Sequence, residues 1–260
     1  MFPRCPPSRE RRWKKIGLRD ELSGIYYILL KDLRAYYFKP PNISWGILFP
    51  LVLTLAFLLR DPTGLVFLAP GLIAMAAVFG TTSMEAIVIT FERRNGALER
   101  LLLAPISIRA LLIGKVLGGA VFGGMISGVM MLVTITMFGM VLVDPILFFV
   151  ALVLTLLTLS SLGALVAVSV TEVFEAQTLS NFFRFPMIFL CGVFIPVEAM
   201  PLILQVIAYF LPLTYSVNAL RMATLEAPEV LVSFANIGVL VAFLLLMLIA
   251  SERVLKHSME

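Results

Sequence analysis

The chain alternates between long apolar runs and short polar intervals. The runs extend over 43–59, 65–90, 110–143, 146–171, 179–197 and 231–250, each close to or beyond the roughly 20 residues that a helix needs to cross hydrocarbon. Six crossings are predicted. The third run is longer than one crossing requires, so its first two turns, through Lys115, are expected to stand in the cytoplasm or the interface. The apolar stretch from Pro201 to Pro212 is too short to cross, and it predicts a re-entrant or interfacial element.

Ahead of the first run, Leu22, Ile25, Tyr26, Leu29, Leu30, Leu33, Tyr36 and Tyr37 recur at spacings of three and four, with Arg19, Asp20, Lys31, Asp32 and Arg34 between them. This spacing predicts an amphipathic helix. Its tyrosines and basic side suit a membrane interface, although packing on a protein partner would give the same periodicity, and Lys39-Pro40-Pro41 should end it. The third run carries Gly114, Gly118, Gly119, Gly123, Gly124 and Gly128 at small-xxx-small spacings. Such spacing lets helices approach closely in lipid, more often within one subunit than as a dimer seam.

Composition agrees with this patterning. Of 260 residues, 60% are hydrophobic and 14% charged, and the mean hydropathy is +1.02, whereas soluble domains run at about 45–50% apolar and about 25% charged. The fold class expected is therefore all-α integral membrane. A net charge of +4 would suggest an anionic partner in a soluble protein, but here the basic residues follow the topology, and no nucleic acid is expected. With a cytoplasmic N-terminus, eighteen of the twenty Lys/Arg fall in inside segments and only Arg60 and Arg221 fall outside, a bias that places both termini in the cytoplasm. Ten of those basic residues precede residue 41 without a following apolar core, so no cleavable leader is expected. Three regions follow: residues 1–40 as basic tail and interfacial helix, 41–250 as the six-span domain, and 251–260 as a cytoplasmic tail.

Reactive groups are scarce. The single histidine, His257, lies in the C-terminal tail, and Cys5 and Cys191 sit in a basic tail and an apolar run. No zinc cluster, no disulfide framework and no Ser/His/Asp set can be assembled from these residues, and no GxxxxGK[ST] loop is present to cradle nucleotide phosphates. The sequence predicts no enzyme and no cofactor or metal site in this chain. Glu85, after Thr81, Thr82 and Ser83, is read either as lining a polar cavity or as a carboxylate reaching the interface or capped by those hydroxyls. Glu172 and Glu175 are placed in the loop after the fourth span, and Asp144-Pro145 in a tight turn.

Between the second and third spans, Glu92, Arg93, Arg94, Glu99 and Arg100 predict the charged exterior of a short helix whose inner face is Leu98, Leu101 and Leu102 and whose stop is Pro105. A charge run is usually a solvated connector. It can also be the contact that receives force from a motor.

These residues resemble a known family, the permease subunits of type 2 ATP-binding-cassette (ABC) exporters, which includes daunorubicin-type drug, nodulation-factor and polysaccharide or teichoic-acid exporters. Glu92-Arg93, Gly96, Leu98-Glu99, Leu102, Pro105 and Gly114-Lys115 resemble the loop and third-span start of the drug-exporter branch. Leu190-Cys191-Gly192-Val193, Met200-Pro201, Pro212-Leu213-Thr214-Tyr215 and Arg221 resemble the signature between spans five and six, with Arg184 standing where a smaller or apolar residue is usual. The amphipathic helix before a six-span core also matches, and the resemblance covers roughly residues 20 to 250.

The resemblance implies a pathway formed by two such subunits, identical or paired with a similar chain. Two cytoplasmic ATPase subunits would hold the ATP and Mg, and the complex would lie in the plasma membrane. It also implies a coupling helix around Glu92 to Leu103 bearing Glu92, Arg93, Arg94, Gly96, Leu98, Glu99, Arg100 and Leu102. Short re-entrant helices would lie between Val197 and Pro212, with Glu198, Pro201, Pro212, Tyr215 and Arg221 in the signature region. Spans one and five would meet their counterparts at the dimer interface. Glu85, Arg184 and Glu198 are candidate pathway residues, with a structural salt link or interfacial anchoring as the competing account of the last two. Cargo would be lipid-like, drug-like or glycan-linked. A stand-alone secondary transporter or channel is the alternative; a lipid-modifying membrane enzyme ranks below both for want of clustered polar catalysts.

Overall fold

A computed structural model describes residues 18–60, 65–104, 106–224 and 230–257. Cys5, the basic tail up to residue 17 and Pro105, the expected stop of the short helix, lie outside the described residues. Every regular element described is helical: α1 (Leu18–Asp32), α2 (Pro40–Arg60), α3 (Leu65–Arg94), α4 (Ala97–Leu102), α5 (Ile108–Phe138), α6 (Pro145–Ser169), α7 (Val173–Leu190), α8 (Leu202–Tyr209), α9 (Pro212–Met222) and α10 (Val230–His257). A π-helical turn, Leu33–Tyr37, prolongs α1.

Four of the described helices, α3, α5, α6 and α10, are long and apolar enough to cross a membrane, and α8 with α9, bent by 91° at their junction, would make a fifth if counted as one span. The six apolar runs each find a helix. Of the other two, α2 runs over 21 residues with its described apolar part at Gly46–Phe57, and α7, 18 residues long, has its apolar character interrupted by Glu175, Gln177, Asn181 and Arg184. Arg184 stands within α7, inside the fifth apolar run, and is buried.

Local sequence explains the helix ends. Ser107 starts α5, its hydroxyl accepting from the Ala110 N–H at 3.1 Å. Asp144 starts α6 in the same way through Leu147 N–H at 3.0 Å, with Pro145 preset for the first helical position. Glu172 and Glu175 form a reciprocal capping box on α7. Gly139, at φ +65°, terminates α5 in the left-handed conformation that a Cβ disfavours.

The centre of the fold is a close packing of α3 against α5 and α6, with α10 and α9 laid on α6 and α1 on α5. Small residues make this approach possible. A Cβ on Gly80 of α3 would stand 2.7 Å from the Gly123 Cα of α5, and one on Gly163 of α6 would stand 2.5 Å from the Thr82 carbonyl oxygen of α3. Gly114, Gly118, Gly119 and Gly123 all face neighbours in the same chain, while Gly128 faces open space, so the glycine stripe packs the subunit internally. Hydroxyls tie the same helices: Ser160 donates to the Val116 carbonyl at 2.8 Å, and Thr82 and Thr158 donate to the Leu159 and Leu240 carbonyls at 3.3 Å each. Away from this centre the surface is oily. Leu132, Met137 and Ile146 are exposed on α5 and α6, as are Leu245, Leu246 and Ile249 on α10, a covering that hydrocarbon, not water, accommodates.

Candidate functional site

The α3–α4–α5 segment is a helical hairpin with α4 across its tip. Asn95 and Gly96 break α3, and Gly96 sits at φ +66°, which lets the chain turn sharply into the six-residue α4. Leu98 is buried, and it packs in one apolar cluster with Ile28 of α1, Ile89 of α3, Leu111 and Val116 of α5 and Ala164 and Ala167 of α6; Leu101, Leu102 and Ile106 border it. Gly24 of α1 lies directly against Ile106, its would-be Cβ 2.7 Å from Cγ2. The tip is therefore held by α1 as well as by its own two legs.

Below the tip, four charged side chains from three helices meet. Lys115 of α5 is fully buried and pairs with Asp32 of α1 at 2.8 Å and with Glu92 of α3. Lys31 of α1 pairs with Asp32 at 3.1 Å and also with Glu92. The cluster contains two cations and two carboxylates, so its net charge is zero. That balance is what allows it to persist where an isolated charge would be expelled. Burial opposes the charge on Lys31, yet Asp32 and Glu92 beside it outweigh that effect and hold its ammonium above the usual lysine range.

About two helical turns deeper on α3, Glu85 accepts a hydrogen bond from the Tyr37 hydroxyl. The Glu85 carboxylate lies against Gly119 of α5, its Cβ lies against Gly163 of α6, and its Oε1 has no hydrogen-bond partner. Tyr37 is itself buried and stacks on Phe122 of α5 at 5.1 Å between ring centroids.

This geometry revises the expected charged exterior. Glu92 is not on the short helix: α3 runs unbroken through Arg94, and Glu92 lies on its inner face, fully buried. Arg93 is half-buried and donates to the Val170 carbonyl at 3.2 Å, tying the tip to the end of α6. The outward charges are Arg94, Glu99 and Arg100, with Leu103 exposed beside them. On α1 the inward face is Ile28, Asp32, Leu33 and Tyr37, whereas Leu22 and Tyr26, assigned to the apolar face by periodicity, are exposed.

The remaining candidates are dispersed. Glu85 and Arg184 do not share a site. Arg184 of α7 lies over the Phe79 ring of α3 at 4.5 Å and borders a cavity of about 430 Å³ between α2, α3 and α7. Arg221 of α9 donates to the Gly192 carbonyl and covers the Phe67 ring at 4.3 Å. Tyr215 donates to the Tyr209 carbonyl at 2.9 Å, and Pro212 opens α9. Pro201 precedes α8, where Gln205 donates to the carbonyls of Glu198 at 3.2 Å and Met200 at 2.8 Å; the Glu198 residue is exposed. The signature residues thus shape the α8–α9 bend.

The partners of Glu92 left a signal that spacing could have exposed. Asp32 falls four residues after Ile28, Lys115 four after Leu111, and Glu92 three after Ile89, so each charge occupies the register of a buried apolar residue on its own helix. Opposite charges in core register on three helices predict pairing.

A family profile for ABC-2 type transporters matches residues 24–225, a stretch that contains the hairpin, the ion cluster and the α8–α9 bend. The chain belongs to the ABC-2 type transporter family. This ABC-2 protein is similar to nodulation protein J of Sinorhizobium fredii, 29% identical over 165 residues covering 62% of each chain. It is also similar to the linearmycin resistance permease protein LnrN of Bacillus subtilis, 28% identical over 58% of this chain and 39% of that one. The probable multidrug ABC transporter permease YbhS of Escherichia coli is 27% identical over 68% of this chain and 47% of its own length. The alignments therefore span about 39% to 62% of these relatives. As an ABC-2 protein of apolar helices, the chain is a multi-pass membrane protein of the transport class and a permease relative.

Proposed function

We propose that this chain is the transmembrane subunit of an ATP-driven exporter, forming the pathway for a lipid-like, drug-like or glycan-linked cargo and coupled through α4 to separate cytoplasmic ATPase subunits. The observation that carries the reading is the mounting of α4. Work delivered at a protein contact moves a membrane helix only if the contact element is rigidly joined to it; α4 is joined to α1, α3 and α5 by a buried apolar cluster through Leu98, and those three helices are tied to one another beneath it by a buried ion cluster, while Arg94, Glu99, Arg100 and Leu103 stay outward.

In this reading α2, α3, α5, α6, α7 and α10 are the six crossings, α8 and α9 re-enter from the outer side, and both termini are cytoplasmic in the plasma membrane. The pairing of Arg109 on α5 with Glu252 on α10 at 2.9 Å, beside Lys256, gathers the basic ends of both helices with the α4 tip on one side. The complex contains two ATPase copies, holding the ATP and Mg, and a second permease, identical to this one and meeting it along α2 and α7. The names of relatives that include permeases of linearmycin resistance and multidrug transport support the transport class.

Co-expression with the candidate ATPase should yield a stable complex. The triple reversal R94E/E99R/R100E should abolish association while leaving the chain monodisperse, since these side chains make few internal contacts. Failure of the wild-type chain to associate with any ATPase, or cargo flux in vesicles driven by an ion gradient without nucleotide, would refute the proposal in favour of a stand-alone transporter.

A further inference from the structure

The cavity beside Arg184 is unlike the other grooves of the molecule. Arg184 is 5% exposed, and its Nε and Nη2 have no hydrogen-bond partner. No carboxylate pairs with it among the described residues; of the buried carboxylates on α3, Glu85 accepts from Tyr37 through Oε2 and Glu92 is held by the two lysines. The hydroxyl of Ser83, one helix away, is also buried without a partner and borders the same cavity. Phe49 of α2 and Phe79 of α3, 4.5 Å apart between centroids, supply an aromatic wall, and Phe185, 45% exposed, forms the rim toward the outside of α7.

A buried guanidinium presents a fork of donors that matches phosphate, sulfate or carboxylate, and a buried donor without an acceptor is costly unless something supplies one. The apolar walls suit a hydrocarbon or aromatic body. We infer that the cavity between α2, α3 and α7 binds the anionic group of an amphiphile, with Arg184 and Ser83 holding the anion and Phe49, Phe79 and Phe185 flanking its apolar part. The cavity volume, about 430 Å³, admits a head group and the first part of a chain, with the remainder passing out along Phe185. As a cargo site the cavity rests on the export reading above; as a binding site it does not.

The test uses the full chain purified in dodecyl maltoside, a neutral detergent, with radiolabelled dodecyl phosphate measured by equilibrium gel filtration. Wild type should bind saturably near one per chain, and Arg184→Gln should bind about tenfold more weakly or worse, as expected for loss of a charge-assisted pair. Neither dodecyltrimethylammonium nor inorganic phosphate should displace the probe at equal concentration. Competition by the ammonium amphiphile would show an unselective apolar groove, and equal competition by inorganic phosphate would show a site for a free anion; either overturns the assignment. Unchanged binding by R184Q also overturns it, and so does absence of saturable binding in wild type, as would follow if a carboxylate of a second copy occupies the guanidinium. Should R184Q not purify as a monodisperse species, the two competitions decide on the unaltered protein. None of these readouts involves an ATPase, so loss of this site and loss of the coupling reading are separable.

Discussion

Replacing Lys115 by methionine tests the ion cluster with a side chain of similar length and no charge. The Lys115 ammonium is fully buried and is the common partner of Asp32, at 2.8 Å, and Glu92. Its removal leaves two carboxylates sharing only Lys31, whose side chain is 36% exposed. Breaking a buried pair from one side costs about 3–5 kcal/mol. At about 2–4 °C per kcal/mol for a chain of this size, the apparent midpoint should fall by roughly 6–20 °C. Fluorescence-detected size-exclusion chromatography after a temperature series, run at one heating time, measures it. The control is the double variant E92Q/K115M, in which Asp32 and Lys31 remain as a neutral pair. Its loss should be smaller than the sum of the two single losses by about 0.5–3 kcal/mol. A K115M midpoint within about 2 °C of wild type, or strict additivity in the double variant, would show that these charges are not mutually dependent and that α1 is not locked to the hairpin through them.

Three further outcomes follow from the same structure. Gly163→Val should cost at least about 1–3 kcal/mol by forcing α6 from α3, because its Cβ would meet the Thr82 backbone, whereas Gly128→Ala, facing open space, should be neutral or stabilising by up to about 1 kcal/mol; paired thermal midpoints check both. Asp144→Ala should lower stability by about 1 kcal/mol through loss of the cap on α6, with Asp144→Ser restoring most of it. Arg221→Gln should destabilise the α8–α9 bend by about 1.5–3 kcal/mol, since the Gly192 carbonyl loses a charged donor and Phe67 its cation, and faster proteolysis after α8 than elsewhere would report that the damage is local.

The helices were legible because lipid makes a one-dimensional demand. A segment of sufficient length and hydropathy is a spanning candidate whatever it packs against, so α3, α5, α6 and α10 could be read directly from the apolar runs. Where polar residues interrupt the run, as Gln177, Asn181 and Arg184 do in α7, hydropathy alone placed the helix several residues late. The caps at Ser107 and Asp144 are equally local in origin, although Asp144-Pro145 read only as a turn.

Composition and periodicity thus determined that this chain is helical and oil-facing, and the motif spacings pointed to its family. Only the tertiary structure decided which charges face outward and which fasten helices together. Glu92 and Glu99 look alike in sequence, seven positions apart in one charged interval. One is buried between two lysines from other helices and the other faces outward. The physical reason is that the stability of a buried charge depends on partners brought from distant segments, here α1 and α5: core register marks Glu92 as inward, but only the packing of the helices says which charges meet it. The same holds for Arg184, whose missing partner becomes visible only when the surrounding helices are in place.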